Sequence, residues 1–491
     1  MNKKISILIN ILSSPNFASL FIILYSTIVY SQVLPYSLWA DELWSINATK
    51  EQITEISGVW YRGIRDTTMP LYYIILYIWQ KLFGYTQINV QLLSIIFVIF
   101  STMILHRALL LITEKSFAFI LCLFYATFEF VLNYSSEVRH YGMSLFLMSA
   151  IMFFYLKLSI GNQTRSNLIF LFSLMIILIY TNWYGFFVFT IITGSILFFF
   201  IIPFKRIFPY FIVSVLCLTP LYSKFLTSLE RKKFSISYPD DIYLFFVEFL
   251  GSSEVMISLI ILIFLRLFLN QNNYTNLDIK KHRIFLINIT MTLCLLLGPF
   301  YFTYFLSISI VNLRNSSLIL IPMILVLAAL IDYDKRMGYH LKRFYICSFS
   351  ILVCFQLVNY FVIKKNHVSN DKDNFRSHVE YILSYKKGNK RNVMVIGNLA
   401  HYVSAYAPLI SSSRVSARYY GVSCKELKNK INFWLTKKHD VFVLARGNIK
   451  KCDSLYSSSI LQNVYNTSIS KKNKLNSRGA DRMKLYLASY N

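Results

Sequence analysis

Leu38-Trp39-Ala40-Asp41-Glu42-Leu43-Trp44 sets two adjacent carboxylates between two tryptophans, just after the first long apolar run. Desolvation beside apolar surface raises a carboxyl pKa and a nearby cation lowers it again, which is how a general base is tuned. The same pair also suits the first turn of an interfacial helix, where negative charge meets the helix dipole and unpaired amides. A second set lies in Tyr134-Ser135-Ser136-Glu137-Val138-Arg139-His140-Tyr141. Glu129, Asn133 and Glu137 fall at i, i+4 and i+8, a spacing that predicts one helix face. Glu129 stands inside an apolar run, where an unpaired ionisable group costs about 2.5 to 3.5 kcal/mol, so it is a functional candidate. An ion pair of Glu129 or Glu137 with Arg139 is the structural alternative. Arg314, in Val311-Asn312-Leu313-Arg314-Asn315, adds a cation, and Arg62 and Arg65 stand beside the Asp66-Thr67-Thr68-Met69-Pro70 turn.

Guanidinium groups bind phosphate bidentately and keep their charge. A base for an acceptor hydroxyl, cations for a departing phosphate and an apolar groove are what transfer from a lipid-phosphate-linked donor requires. Phosphate is already a good leaving group, so no acid catalyst is needed.

The elements that position these residues follow from composition. The 491 residues are 56% hydrophobic and 15% charged, which rules out a soluble protein. Neither G-x-G-x-x-G nor G-x-x-x-x-G-K-[ST] occurs, so no nucleotide cradle of the usual kinds is present. A bilayer core of about 30 Å takes roughly 20 helical residues, fewer where flanks snorkel. By that measure eleven spans are expected, near 17–35, 88–110, 116–133, 142–158, 166–181, 184–202, 207–226, 253–269, 284–306, 316–331 and 342–363. A further run, Pro70 to Phe83, reaches only ~21 Å as a helix and carries Trp79, Lys81 and tyrosines, the marks of an interfacial helix. If it does not span, sixteen basic residues fall in short cytoplasmic loops against ten outside. The N-terminus is therefore expected in the cytoplasm, and the acid pair, Arg139 and the C-terminus outside. Lys3 and Lys4 give the first run the look of a signal peptide, but no small-residue cleavage site follows, so it is read as an anchor.

From Lys364 the texture changes to short alternating and amphipathic stretches, which predicts a soluble α/β domain over 364–491 after a membrane domain over 1–363, with a first outer loop at 35–87. Helices are expected at Asp371 to Tyr385 and Cys424 to Lys437, and strands at Asn392 to Ile396, Asp440 to Ala445 and Met483 to Ala488. This tail holds 24 of the 50 basic residues and seven of the 23 acids. Such a surface fits anionic head groups or an anionic acceptor, and equally a solvated domain beside a membrane. In a chain this apolar the basic excess is a topology signal, and no nucleic-acid partner is expected. Cys424 and Cys452 are the tail's only thiols and permit a disulfide in an oxidising compartment. No Cys or His spacing supports a metal site, and no cofactor is expected.

Taken in order, these motifs resemble those of the bacterial GT-C integral-membrane glycosyltransferases, the broad family with the protein O-mannosyltransferases, aminoarabinose transferases and RgtA/B/C/D-like sugar transferases. Asp41-Glu42 is similar to the family's acidic pair after the first span. Thr68-Met69-Pro70-Leu71-Tyr72-Tyr73 is similar to H-P-P-L-Y-Y, Tyr134 to Tyr141 to Y-S-Q-E-A-R-x-Y, and Arg314 to Pro322 to R-Y-x-x-x-x-x-P. The resemblance implies a polytopic α-helical membrane fold with an extracytoplasmic C-terminal α/β domain in the cytoplasmic (inner) membrane. It implies transfer of a sugar, with inversion, from a polyprenyl-phosphate donor to an envelope acceptor. Carried over, Asp41 is the base and Glu42 orients it or the acceptor. Arg139 and Arg314, with Arg65, hold the donor phosphate, and Glu137, Tyr141 and Glu129 support them. Thr68 and Met69 stand where relatives have His, and Tyr180-Thr181-Asn182-Trp183 where they have Y-T-H-Y, so two imidazoles are absent. A transporter or flippase of lipid-linked saccharides is the alternative from another class, and a scaffold without activity a third. A flippase should carry ionisable residues at mid-membrane in both halves and often repeat symmetry, whereas here the charged set lies at one face.

Overall fold

The computed structural model describes residues 15–34, 38–49, 55–66, 68–222, 224, 247, 250–269, 285–295, 297, 315–331, 339–363, 375–389, 392–396, 400–410, 416–418, 424–445, 462–466 and 484–488. Helix α1 spans Pro15–Ser31, and three short helices follow it: α2 (Ala40–Ala48), α3 (Ile56–Arg65) and α4 (Leu71–Phe83). The apolar runs beyond them form α5 (Gln87–Leu109), α6 (Lys115–Ala126), α7 (Glu129–Ser135), α8 (Tyr141–Ser159), α9 (Arg165–Thr181), α10 (Gly185–Phe198) and α11 (Phe204–Cys217). Then come α12 (Ser253–Leu269), α13 (Phe285–Leu295), α14 (Leu320–Ile331) and α15 (Tyr339–Val358).

Helix is found, among the described residues, within each of the eleven expected ranges. Among the described residues, Gln87–Leu109, Tyr141–Ser159, Phe204–Leu221 and Leu341–Val362 are long and apolar enough to cross a membrane unaided. The chain is a predominantly helical, multi-pass membrane protein. The expected third span, 116–133, is not one rod: α6 and α7 are bent by 60°. Phe128 adopts φ −55° and ψ 131°, outside the helical region, and ends the ladder. Just before it, Thr127 Oγ1 reaches Gln356 Oε1 at 2.6 Å as well as the carbonyls of Leu123 and Phe124. Because α7 ends at Ser135, Glu137 leaves the face it was expected to share with Glu129 and Asn133.

Close packing explains several small residues. A Cβ on Gly142 of α8 would stand 2.8 Å from the Ser94 carbonyl of α5, so only glycine lets these helices approach. Ser94 itself donates through Oγ to the carbonyl of Glu137. Gly185 opens α10 against the end of α9, where an added Cβ would meet Ile179 N at 2.6 Å.

The chain divides into two compact units. One comprises 1–34, 56–75 and 91–363; the other comprises 35–55, 76–90 and 364–491. The tail from Lys364 is thus joined in its unit by 35–55 and 76–90, which the sequence assigns to the first outer loop and the first residues of the second span. Within this second unit α2 packs on α17 (Ala400–Ile410), and Tyr406 donates to buried Gln87 at 3.0 Å. Tyr85 Oη donates to the carbonyl of Thr49. Its sheet runs β2-β1-β3-β5-β4, from β1 (Asn392–Ile396), β2 (Ser416–Arg418), β3 (His439–Ala445), β4 (Gln462–Asn466) and β5 (Lys484–Ala488). β1 pairs in parallel with β2 and β3, and β5 is antiparallel to β3 and β4. Helix covers these strands: α16 (Phe375–Asn389) sends Tyr385 to buried Asp440, and α18 (Cys424–Thr436) packs on β3. The near-continuous apolar run of β1 is what a strand with parallel neighbours requires.

Candidate functional site

Arg139 organises the polar centre of the first unit. Its side chain is 7% exposed, and Nη1 donates to Tyr73 Oη at 3.0 Å and lies 3.6 Å from Asp66 Oδ2. Tyr73 in turn donates to Asp66, and Thr68 Oγ1 reaches the same carboxylate oxygen at 2.6 Å. Burial pushes the Tyr73 phenol well above its ordinary range, so it stays a neutral donor, although Arg139 alone would pull it down. Sequence places these groups together through three elements. Asp66 and Thr68 form the turn after α3, Tyr73 rides the first turn of α4, and Arg139 precedes α8 in the loop whose backbone Ser94 ties down.

The structural alternative paired Arg139 with Glu129 or Glu137; Asp66, which neither alternative included, lies 3.6 Å from its Nη1. No signal marked it beyond its place beside Arg62 and Arg65 in the turn. Glu137 is buried nearby in sequence and accepts the Arg139 amide on its carbonyl at 2.7 Å. Tyr141 is buried and packs edge-on against Tyr134 at 5.0 Å. Glu129 opens α7 and lines a small cavity with Leu250, Gly251, Gln356 and Tyr360. Gly251 holds φ +93° there, with its Cβ direction pointing 3.0 Å from Glu129 Cβ. Arg314 lies outside the described residues, as does Cys452, and of Arg65 only the helical backbone is described.

Asp41 and Glu42 belong to the second unit, on the first turn of α2. Glu42 is fully buried, and its Oε2 accepts from the amide of Trp39 at 3.1 Å, the return half of a capping box. Asp41 is half-buried, and its carbonyl accepts from Ser45 Oγ at 3.3 Å. At the position of the absent second imidazole, Asn182 Oδ1 accepts from Tyr184 N at 3.0 Å, closing the turn between α9 and α10. Among the described residues no three His, Cys, Asp or Glu side chains stand together as a metal would need.

The fold is one already seen in solved structures, and the likeness is of fold alone. The chain is similar over 95% of its length to ArnT from Cupriavidus metallidurans in the apo state, covering 97% of that chain at 12% identity with a TM-score of 0.61. Against the same protein bound to undecaprenyl phosphate the coverage and identity are the same and the TM-score is 0.60. No protein-family model and no curated relative matches the chain in sequence.

Proposed function

We propose that the protein is a membrane glycosyltransferase that moves a sugar from a polyprenyl-phosphate donor to a hydroxyl of an envelope acceptor, on the outer face of the cytoplasmic membrane. The observation that carries the reading is Arg139, a buried guanidinium aligned by Asp66 and Tyr73. It sits in a chain whose fold is similar throughout to a protein solved with undecaprenyl phosphate. A dry guanidinium is suited to a phosphate oxyanion, because charge-assisted bonds strengthen where water is excluded.

Asp41 removes the proton from the acceptor hydroxyl, whose oxygen attacks the anomeric carbon from the face opposite the phosphate. The anomeric C–O bond to phosphate breaks, and the polyprenyl phosphate departs with the electron pair, inverting the centre. Arg139, with Arg314 and Arg65, stabilises that departing charge. Glu42 holds α2 in register so that Asp41 is presented. Arg139→Ala tests the donor half. Bound polyprenyl phosphate should weaken at least about tenfold, since charge-assisted bonds contribute about 1.5 to 3 kcal/mol. Unchanged affinity in a folded variant overturns the assignment.

A further inference from the structure

We infer that Lys224 is a positioning residue for the phosphate-binding arginine, an inference that rests on the role given to Arg139 above and deepens it. Lys224 is 2% exposed. Its Nζ donates to the carbonyls of Gly63 at 3.0 Å, Ile64 at 3.2 Å and Asp66 at 3.2 Å, and to that of Thr68. An ammonium has three hydrogens to give, and four backbone oxygens share them here. A phosphate could reach it only by displacing those carbonyls, so the group works as a clamp on the backbone and not as a ligand.

What it clamps matters for the site. Gly63 and Ile64 lie in the last turn of α3, where the negative end of the helix dipole favours a cation. Asp66 and Thr68 are the next residues on, and their side chains are the ones that meet Arg139 and Tyr73. Lys224 therefore fixes from behind the turn whose front face aligns the guanidinium. It comes from 156 residues beyond Thr68, so no local turn chemistry replaces it. Without the ammonium, orphaned carbonyls must find other donors and the turn must move, and a shift of about 1 Å is enough to cost a positioned group its effect.

The test is a double-mutant cycle on binding of undecaprenyl phosphate by the detergent-purified full chain, read by native mass spectrometry beside a thermal midpoint. Lys224→Met should weaken binding about tenfold, and Lys224→Arg, which keeps donors for the carbonyls, should recover most of it. Combined with Arg139→Ala, Lys224→Met should add less than about a further twofold, because both act through one group. A merely structural lysine predicts a lowered midpoint with unchanged affinity, or a penalty that multiplies fully onto Arg139→Ala; either outcome overturns the proposal. Should Lys224→Met fail to fold, Lys224→Gln and Lys224→Arg carry the same comparison, with Arg the tighter binder and equal affinity the contrary result. If Arg139→Ala itself leaves affinity unchanged, the phosphate reading fails and not the clamp alone.

Discussion

Successive residues on a helix point about 100° apart, so two adjacent acids at a helix start meet different surroundings. Glu42 turns inward and receives the Trp39 amide, while Asp41 stays half-buried. The capping role, one of two alternatives for the pair on the sequence, thus falls to Glu42, and the base proposed above is its neighbour. Glu42→Ala should lower stability by about 1 kcal/mol, whereas Glu42→Gln, whose amide oxygen still accepts, should lose little. Thermal unfolding of the two variants decides this, and equal losses would deny Glu42 the cap. The acid pair and Arg139 were legible because acids and arginines are rare in so apolar a chain. Asp66 was not, since an aspartate in a turn before proline reads as ordinary turn chemistry. Its partner Arg139 is 73 residues away, a distance over which residue types carry no pairing information.

Helices were the most legible elements, because a bilayer demands long apolar runs that nothing else in the chain imitates. The break between α6 and α7 was invisible for the converse reason: neither Pro nor Gly marks Ala126-Thr127-Phe128-Glu129, and a tertiary partner met there, Gln356, comes from a distant helix. In the tail, Asn392 to Ile396 and Asp440 to Ala445 announced β1 and β3 by their apolar runs. β2 has three residues and β4 reads Gln-Asn-Val-Tyr-Asn, and neither shows such a run. Helix α17 went unread because Pro408 stands inside it. The contact of α5 with α8 offers a direct check on packing. Gly142→Ala must push a methyl against the Ser94 carbonyl and should lower stability by about 1 to 3 kcal/mol. A thermal midpoint unchanged from wild type would mean that these helices are not in that register.

The expected orientation rests on basic residues counted loop by loop, and it puts the acid pair and the Arg139 loop on one side of the membrane. A reporter enzyme fused after Tyr360 should be active only outside the cytoplasm, and a cytoplasm-only signal would reverse the topology. Transfer and transport make different demands on the whole chain. A flippase moves its lipid-linked saccharide unchanged, whereas a transferase must separate sugar from polyprenyl phosphate and needs a base to do it. Loss of a general base typically costs 10²- to 10⁴-fold in rate, and the donor binding proposed for the arginines does not depend on it. The decisive measurement is therefore made on purified Asp41→Asn, following release of polyprenyl phosphate from the sugar-charged donor alongside binding of undecaprenyl phosphate. Release should fall at least about a hundredfold with binding kept. Near-normal release from a correctly inserted variant would contradict the role proposed for Asp41, since Asp41→Asn keeps the size of the side chain and removes only the base.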